Sequence, residues 1–288
     1  MNAFYKLNSA GRMSSEILTP RMTGRLVNKE SQNIKCNPKG VTKVAELIYK
    51  AITKDGFGRK IWDKNDLNPR GLSEQESINW IFFVDTMNFS FWPDEGVTKF
   101  GVKDSKGNLQ TGYWSLCAAV SRALKVGIPI TDADFMATAT KEQIETVFRS
   151  DTEGKIPLLE ERVKAINEAG RVIRDKFFGS FSVCVHRANK DVDKLLELIV
   201  DNFESYRDVC QYKDRAVTFL KRAQILVSDI WTCLDAKGLG EFHNIDNITM
   251  FADYRVPQSL VAFNVLHYSD ELKNILKSKQ HLEPGESI

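Results

Sequence analysis

Hydrophobic residues recur at intervals of three and four along most of the chain, which is the spacing of amphipathic helices. Residues 40–52 show this spacing clearly, and so does the long stretch 214–238, which ends on a glycine typical of a helix C-terminus. The other predicted helices cover residues 73–87, 113–127, 144–149, 158–177, 191–203, 257–266 and 270–279. The pattern therefore predicts a mainly α-helical protein of about nine or ten helices.

Two of these helices begin with a capping box, in which a hydroxyl residue is followed three positions later by Glu or Gln. Ser73 and Glu76 form one such pair, and Thr140 and Gln143 form the other. After Trp92 the spacing changes, and the segment VTKFGVKDSKGNLQTGYW predicts two short strands around a turn at residues 104–108. The sequence thus adds one short β-hairpin to the helices.

No internal repeat and no linker rich in Gly, Ser or Pro divides the chain, so we expect a single globular helical domain. Residues 1–35 carry scattered basic side chains and are predicted to be a partly disordered leader. The domain itself is expected to span residues 36–288.

Composition narrows the classes of function. The 288 residues include 40 basic and 38 acidic side chains, and this balance predicts no stable nucleic-acid partner. The phosphate-binding motifs of Rossmann and Walker sites are missing, and the scattered cysteines and histidines predict neither a metal site nor a cofactor. Apolar runs stay shorter than the ~18–20 residues that span a bilayer, and a secretory signal core is missing, so we expect a cytoplasmic protein.

The segment FFVDTMNFSFW places two polar side chains among aromatic residues. Asp85 and Asn88 are three positions apart and share one side of a helix end, with Phe89 and Trp92 close behind. Carboxylate, amide and aromatic groups together can hold a flat heterocycle. The simpler interpretation is an aromatic core in which Asp85 and Asn88 cap the helix.

A second polar set interrupts the helix FLKRAQILVSDIW. Arg222 and Asp229 are seven positions apart and share a face that lies beside Lys221. Two cations and an acid on one helix could bind a phosphate and position a water molecule. The simpler interpretation is a solvated face with ion pairs worth ~0–1 kcal/mol each.

The third interruption is the segment ITMFADYRVPQ. Asp253 lies between Phe251 and Tyr254, just before the helix expected at Pro257. A carboxylate at a helix N-terminus stays ionised, and in apolar surroundings it can stabilise a cationic transition state. The simpler interpretation is a capping Asp253 with Arg255 as its partner.

These segments carry a resemblance to a known family. The chain resembles the queuosine salvage family, the queuosine 5′-phosphate N-glycosylase/hydrolases, in five blocks that occur in the family's order: DTMNFSFW, GYWSLCAAVSRAL, GIPITD, FLKRAQILVSDIW and ITMFADYRVPQ. The resemblance runs from about residue 37 to about residue 281, and it implies a fold similar to the helix-hairpin-helix DNA glycosylases. Family members usually continue for some tens of residues beyond the position of Ile288, so we expect the domain to be truncated at its C-terminus.

The resemblance also implies a reaction. Water would cleave the N-glycosidic bond of queuosine 5′-phosphate, a 7-deazaguanine nucleotide, and release queuine for salvage into tRNA modification. In glycosylases of the related fold an Asp stabilises the positive charge on the sugar, and Asp253 matches it. Lys221 matches the lysine of that fold and would bind the phosphate or orient the sugar.

The remaining candidate residues would bind the substrate. Asp85 or Asp229 would accept hydrogen bonds from the base edge, with Asn88 on the remaining edge. The other residues assigned to the substrate are Phe89, Trp92 and Phe251 as stacking faces, one of Lys221, Arg222 or Arg255 as the phosphate ligand, and Tyr254 beside them.

Two other functions are compatible with the same residues. A nucleic-acid base glycosylase of this fold would act on a flipped base and would need a basic groove. A non-catalytic binder of a modified nucleoside would keep the pocket but lack turnover.

Overall fold

The computed structural model describes residues 17–54, 56, 58, 62, 64–279 and 282. Twelve α-helices and six short β-strands form this described part of the chain. The helices are α1 (Pro20–Glu30), α2 (Pro38–Lys54), α3 (Glu74–Thr86), α4 (Tyr113–Lys125), α5 (Ala133–Thr138), α6 (Lys141–Val147), α7 (Leu159–Lys176), α8 (Phe181–Arg187), α9 (Val192–Asn202), α10 (Lys221–Cys233), α11 (Arg255–Ala262) and α12 (Asp270–Ser278). The strands are β1 (Ile34–Cys36), β2 (Gly101–Lys103), β3 (Leu109–Thr111), β4 (Val209–Tyr212), β5 (Arg215–Thr218) and β6 (Leu266–Tyr268). The mainly α-helical class predicted from the sequence is confirmed.

Both predicted capping boxes are present. The Ser73 side chain accepts the Glu76 N–H at 3.2 Å, and the Ser73 N–H donates to Glu76 Oε2 at 2.8 Å. Thr140 and Gln143 repeat the arrangement at the start of α6. These bonds pair N–H groups that a first helical turn otherwise leaves unpaired.

Helix α3 lies at the centre of the core. Its residues from Ser77 to Thr86 are buried except Asn79, and it packs against α7, α8 and α10. The Phe82 ring stacks on the Phe181 ring with centroids 4.3 Å apart. A helix that is apolar on all sides belongs in a protein interior, where each large side chain contributes about 1.5–3 kcal/mol. The polar residues near its C-terminus are therefore carried into the interior with it.

The strands form three antiparallel pairs. Strands β2 and β3 form the predicted hairpin, in which Val102 is paired with Gln110. Strands β4 and β5 form a second hairpin that the sequence analysis missed, and β1 pairs with β6 across the length of the chain.

The predicted long helix 214–238 is wrong in its first third, and it also extends past the end of α10 at Cys233. Residues 215–218 form β5, and α10 begins only at Lys221. Leu220 has a φ of 48°, a left-handed conformation that ends the strand and turns the chain before the helix starts. The β-branched Val217 and Thr218 fill a buried edge of the hairpin, so tertiary packing decides between strand and helix here.

The N-terminal part of the described chain packs against β5 and against the segment near Asn264. Leu18 N–H donates to Ala216 O at 3.1 Å, and the buried Thr23 follows in α1. These residues lie within the predicted leader, whose residues 1–16 are outside the described part. Gly40 packs so closely that an added Cβ would lie 2.2 Å from the carbonyl oxygen of Asn264.

Every helix among the described residues is too short or too polar to cross a membrane.

Candidate active site

A cleft of about 690 Å³ opens beside the C-terminal end of α3. Its walls come from the loop after α3, the loop before α10, the N-terminus of α10 and the segment before α11. The residues used below that line it are Asn88, Phe89, Ser90, Phe91, Trp92, Tyr113, Ser205, Asp208, Lys221, Arg222, Asp253, Tyr254 and Arg255. Pockets of roughly 300–1,000 Å³ accept molecules the size of a nucleotide.

Lys221 and Asp253 form an ion pair in the cleft wall. Lys221 Nζ lies 2.8 Å from Asp253 Oδ2, and the Arg255 N–H donates to Asp253 Oδ1 at 2.8 Å. Partial burial raises the pKa of Asp253, but the hydrogen bonds from Lys221 and Arg255 outweigh it and hold this pKa below its usual value. The carboxylate is therefore ionised at neutral pH.

Asp208, which directly precedes β4, fixes the start of α10 and with it the position of Lys221. Asp208 accepts hydrogen bonds from the Thr218 hydroxyl at 2.7 Å, from the Phe219 N–H at 3.2 Å and from the N–H groups of Leu220 and Lys221. A carboxylate at a helix N-terminus also interacts favourably with the helix dipole. Asp208 thus holds the start of α10 against the cleft. Asp208 was not predicted as a site residue because it is remote in sequence from α10, the helix that it caps.

Aromatic side chains form the mouth of the cleft. The rings of Trp92 and Tyr254 meet edge to face with centroids 5.6 Å apart, and both are about half exposed. The Arg255 guanidinium lies 5.1 Å from the centre of the Trp92 ring. An exposed aromatic pair with a cation beside it can hold a flat, charged ligand.

Arg222 lines the cleft, but its guanidinium is bound to the main chain. Nη1 donates to Thr86 O at 2.9 Å, and Nη2 donates to Ser205 O. The group also lies 5.0 Å from the centre of the Phe89 ring, and its burial lowers the pKa of Arg222. The Arg222 guanidinium is thus occupied by main-chain carbonyls in this structure, and its phosphate-binding role stays a prediction.

Asp85 and Asp229 come together from α3 and α10 next to the cleft wall. Asp85 is fully buried, and its Oδ1 accepts the side-chain N–H of Asn88 at 3.4 Å. Its Oδ2 has no hydrogen-bond partner within the described residues. Burial, followed by the negative charge of Asp229, raises the pKa of Asp85 well above its usual value. Burial also raises the pKa of Asp229 to about 7.

These two carboxyl groups do not line the cleft themselves. Asn88 and Tyr113 stand in its wall, and both are close to the acidic pair. Burial, together with the charges of Cys117, Asp229 and Asp85, raises the pKa of Tyr113, so its phenol is neutral. A neutral phenol and a carboxamide therefore separate the acidic pair from the ligand space.

Phe251 is the one predicted site residue from the third segment that the structure leaves outside the cleft lining. Its carbonyl accepts the Asp253 N–H at 2.8 Å, so the residue shapes the turn that carries the carboxylate. Tyr254 and Arg255, by contrast, both line the cleft as predicted. The stacking role predicted for Phe251 therefore has no geometric support.

Arg162 is a supporting residue that the sequence analysis missed. It is fully buried in α7, beneath the loop after α3. The sequence pattern could have indicated its burial. Arg162 lies on the same face of the helix as Ile166, Ala169 and Ile173, all of which are buried. A charged residue on an apolar stripe indicates a buried polar contact.

Residues 67–288 match the model of one protein family, described as queuosine salvage protein. The chain belongs to this family. A relative from Bos taurus is 46% identical over 265 residues, which is 91% of this chain and 77% of the relative. A relative from Schizosaccharomyces pombe is 39% identical over 272 residues (90% and 78%), and one from Sphaerobacter thermophilus is 33% identical over 265 residues (91% and 78%). All three are named queuosine 5′-phosphate N-glycosylase/hydrolase.

Because Asp85 and Asp229 form a buried acidic pair, we expect the stability of the protein to depend on pH. Because the pKa of Asp229 is about 7 in the folded protein, folding stabilises its protonated form. That contribution is complete below the unfolded pKa of about 4 and is lost as the pH rises towards 7. Asp229→Asn is therefore expected to raise the free energy of unfolding at pH 8 by on the order of 4 kcal/mol, with little change at pH 4.

Urea denaturation at the two pH values measures this difference. The exposed Asp214, which lies in the turn between β4 and β5, provides the control variant Asp214→Asn. An effect of Asp229→Asn that is equal at pH 4 and pH 8 would contradict the assignment of a raised pKa.

Proposed function

We propose that this protein hydrolyses the N-glycosidic bond of queuosine 5′-phosphate and releases queuine and ribose 5-phosphate. The observation that carries the proposal is the Lys221–Asp253 pair, which places an ionised carboxylate in the wall of a nucleotide-sized cleft. Relatives that bear the name of this activity match about nine-tenths of the chain.

Asp253 supplies the negative charge that the reaction needs. Cleavage of the glycosidic bond leaves positive charge on the sugar, and a fixed carboxylate close to that carbon lowers the barrier. Water attacks the same carbon while the bonding electron pair leaves with the base. Asp253 accepts the proton of the water, and this proton then passes to the released base. Lys221 and the Arg255 N–H hold the two carboxylate oxygens, so the group is oriented before the substrate arrives.

The loop after α3 binds the base. Asn88 offers a carboxamide to the base edge, and Phe89 and Trp92 provide aromatic faces in the cleft. Stacking of a base on an aromatic side chain contributes roughly 1–3 kcal/mol. Asp85 and Asp229 act from behind Asn88 and place acidic groups near a base that carries a cationic amine arm.

Arg255 binds the 5′-phosphate. Its side chain is exposed at the cleft mouth and bonds Gln258 Oε1 at 3.2 Å, whereas the Arg222 guanidinium is held by main-chain carbonyls. Arg255→Ala is expected to raise KM for queuosine 5′-phosphate about tenfold, or about 1.4 kcal/mol, because a charged hydrogen bond is lost. The KM of the phosphate-free nucleoside should stay unchanged.

Steady-state kinetics with both substrates test this assignment. Arg215→Ala is the matched control, since Arg215 is an exposed arginine in β5 and does not line the cleft. Equal losses for nucleotide and nucleoside would remove Arg255 from phosphate binding.

We also infer that the protein works in the cytoplasm, where the released base feeds tRNA modification, and that it acts on a free nucleotide. Cys36, Cys117, Cys184 and Cys210 are free thiols, as expected in a reducing compartment. The near-neutral charge supports a small substrate over a polymer. A gel-shift titration with duplex DNA and tRNA checks this, and tight, salt-sensitive binding would contradict it.

One assay tests the proposed reaction. The purified protein is incubated with queuosine 5′-phosphate, and free queuine is measured by mass spectrometry. Release of queuine at a rate proportional to the protein concentration is the expected result. Binding of the nucleotide without any release would support a non-catalytic binder instead.

A further inference from the structure

Arg162 brings a charged guanidinium into the core beneath the cleft. The residue is fully buried, and burial followed by the charge of Arg222 lowers the pKa of Arg162 to about 9. Within the described residues its hydrogen bonds all go to main-chain carbonyls. They reach Pro157 O at 2.8 Å, Ser90 O at 2.9 Å, and the carbonyls of Met87 and Phe89.

Three of these carbonyls belong to the loop that lines the cleft. The Arg162 guanidinium also lies 4.4 Å from the centre of the Phe89 ring and 5.5 Å from that of Phe91. Arg222 adds a bond to Thr86 O, so two guanidiniums hold the main chain from the end of α3 to Ser90. The carbonyls at a helix C-terminus carry partial negative charge, which a buried cation offsets.

The conformation of this loop needs such support. Ser90 has a φ of 48°, in the left-handed region that a residue with a Cβ adopts at an energetic cost. A planar guanidinium with five N–H groups can hold several carbonyls in fixed directions, whereas an ammonium group is a single point charge.

We propose that Arg162 is a positioning residue for substrate binding: it holds the loop of residues 87–92 in the conformation that presents Asn88, Phe89 and Trp92 to the base. Only the expected effect on KM rests on the proposed function; the expected effect on the loop conformation does not. Arg162 is too deep to contact the substrate, and its hydrogen bonds within the described residues involve neither Lys221 nor Asp253. Its loss should therefore weaken binding of the base while leaving the catalytic pair in place.

The test compares Arg162→Lys with Arg122→Lys. Arg122 lies on α4 and also donates to main-chain carbonyls, those of Val147 and Arg149, but it does not line the cleft. Arg162→Lys is expected to raise KM for queuosine 5′-phosphate about tenfold while kcat changes less than about threefold. Hydrogen exchange of the peptide covering residues 86–92 should accelerate in Arg162→Lys and stay unchanged in Arg122→Lys.

Three results would overturn the proposal. One is a folded Arg162→Lys variant with normal KM and normal exchange of residues 86–92. Another is that Arg162→Lys loses activity only in proportion to its decrease in Tm, with the same relation between activity and Tm as in Arg122→Lys. If Arg162→Lys does not fold, Ser90→Gly is added, since glycine adopts the left-handed conformation freely. Failure of this double variant to fold, or a normal KM in it, would make Arg162 a general core residue.

The exchange measurement separates this proposal from the proposed function. It uses no substrate, so a wild-type protein that fails to release queuine still shows whether Arg162 holds the loop. Slow exchange of residues 86–92 in the wild type and fast exchange in Arg162→Lys would support the positioning role even then.

Discussion

Asp253→Asn is expected to lower kcat by about 10³-fold while Tm stays within a few degrees of the wild type. The carboxamide has nearly the shape of the carboxylate and can still accept the Arg255 N–H, which lies 2.8 Å from Oδ1. It cannot carry the negative charge that stabilises a cationic sugar or accept a proton from water. Because the pair with Lys221 is partly exposed, its loss costs only about 1 kcal/mol of stability.

The measurement is single-turnover release of queuine by wild type and variant at saturating substrate. Asp246→Asn is the control, because Asp246 is an exposed carboxylate that does not line the cleft. A folded Asp253→Asn variant that retains more than about a tenth of the wild-type rate would exclude Asp253 from the chemical step.

Lys221→Met is expected to lower kcat/KM about 10²-fold and to move the acid limb of the pH profile upward. The pKa of Asp253 is raised by burial and is brought below its usual value chiefly by the hydrogen bond from Lys221. Without that hydrogen bond and charge, the carboxylate takes up its proton at a higher pH. Activity, which needs the ionised form, should therefore begin to fall at a higher pH than in the wild type.

The profile of kcat/KM between pH 4 and pH 8 shows whether this shift occurs. Lys237→Met serves as the matched control, since Lys237 makes a surface ion pair with Asp235 at 2.9 Å and does not line the cleft. If the acid limb of Lys221→Met coincides with that of the wild type, Lys221 does not set the pKa of the essential group. The double variant Lys221→Met/Asp253→Asn should lose less transition-state stabilisation, measured from kcat/KM, than the sum of the two single losses, because the residues act as one pair.

The candidate site shows how far sequence patterns reach. Asp253, Lys221 and Asn88 were found as polar interruptions of apolar segments, and each proved to line one cleft. The resemblance to the family implied stacking for Phe251, although its ring lies outside the cleft lining. It also offered Arg222 as a phosphate ligand, and the Arg222 guanidinium binds main-chain carbonyls. Spacing along a chain indicates which side of a helix a residue occupies, but it does not indicate which partner takes up its hydrogen bonds.

The amino-acid sequence by itself determined the helical class, the capped starts of α3 and α6 and the first hairpin. Each of these depends on residues only a few positions apart, such as the Ser73–Glu76 bonds. Only the tertiary structure decided that residues 215–218 form a strand, that Asp85 loses its contact with solvent, and that buried arginines hold the loop at the cleft. The carbonyls that bind Arg162 and Arg222 lie up to 75 and 136 positions away, and such contacts form only when the core packs.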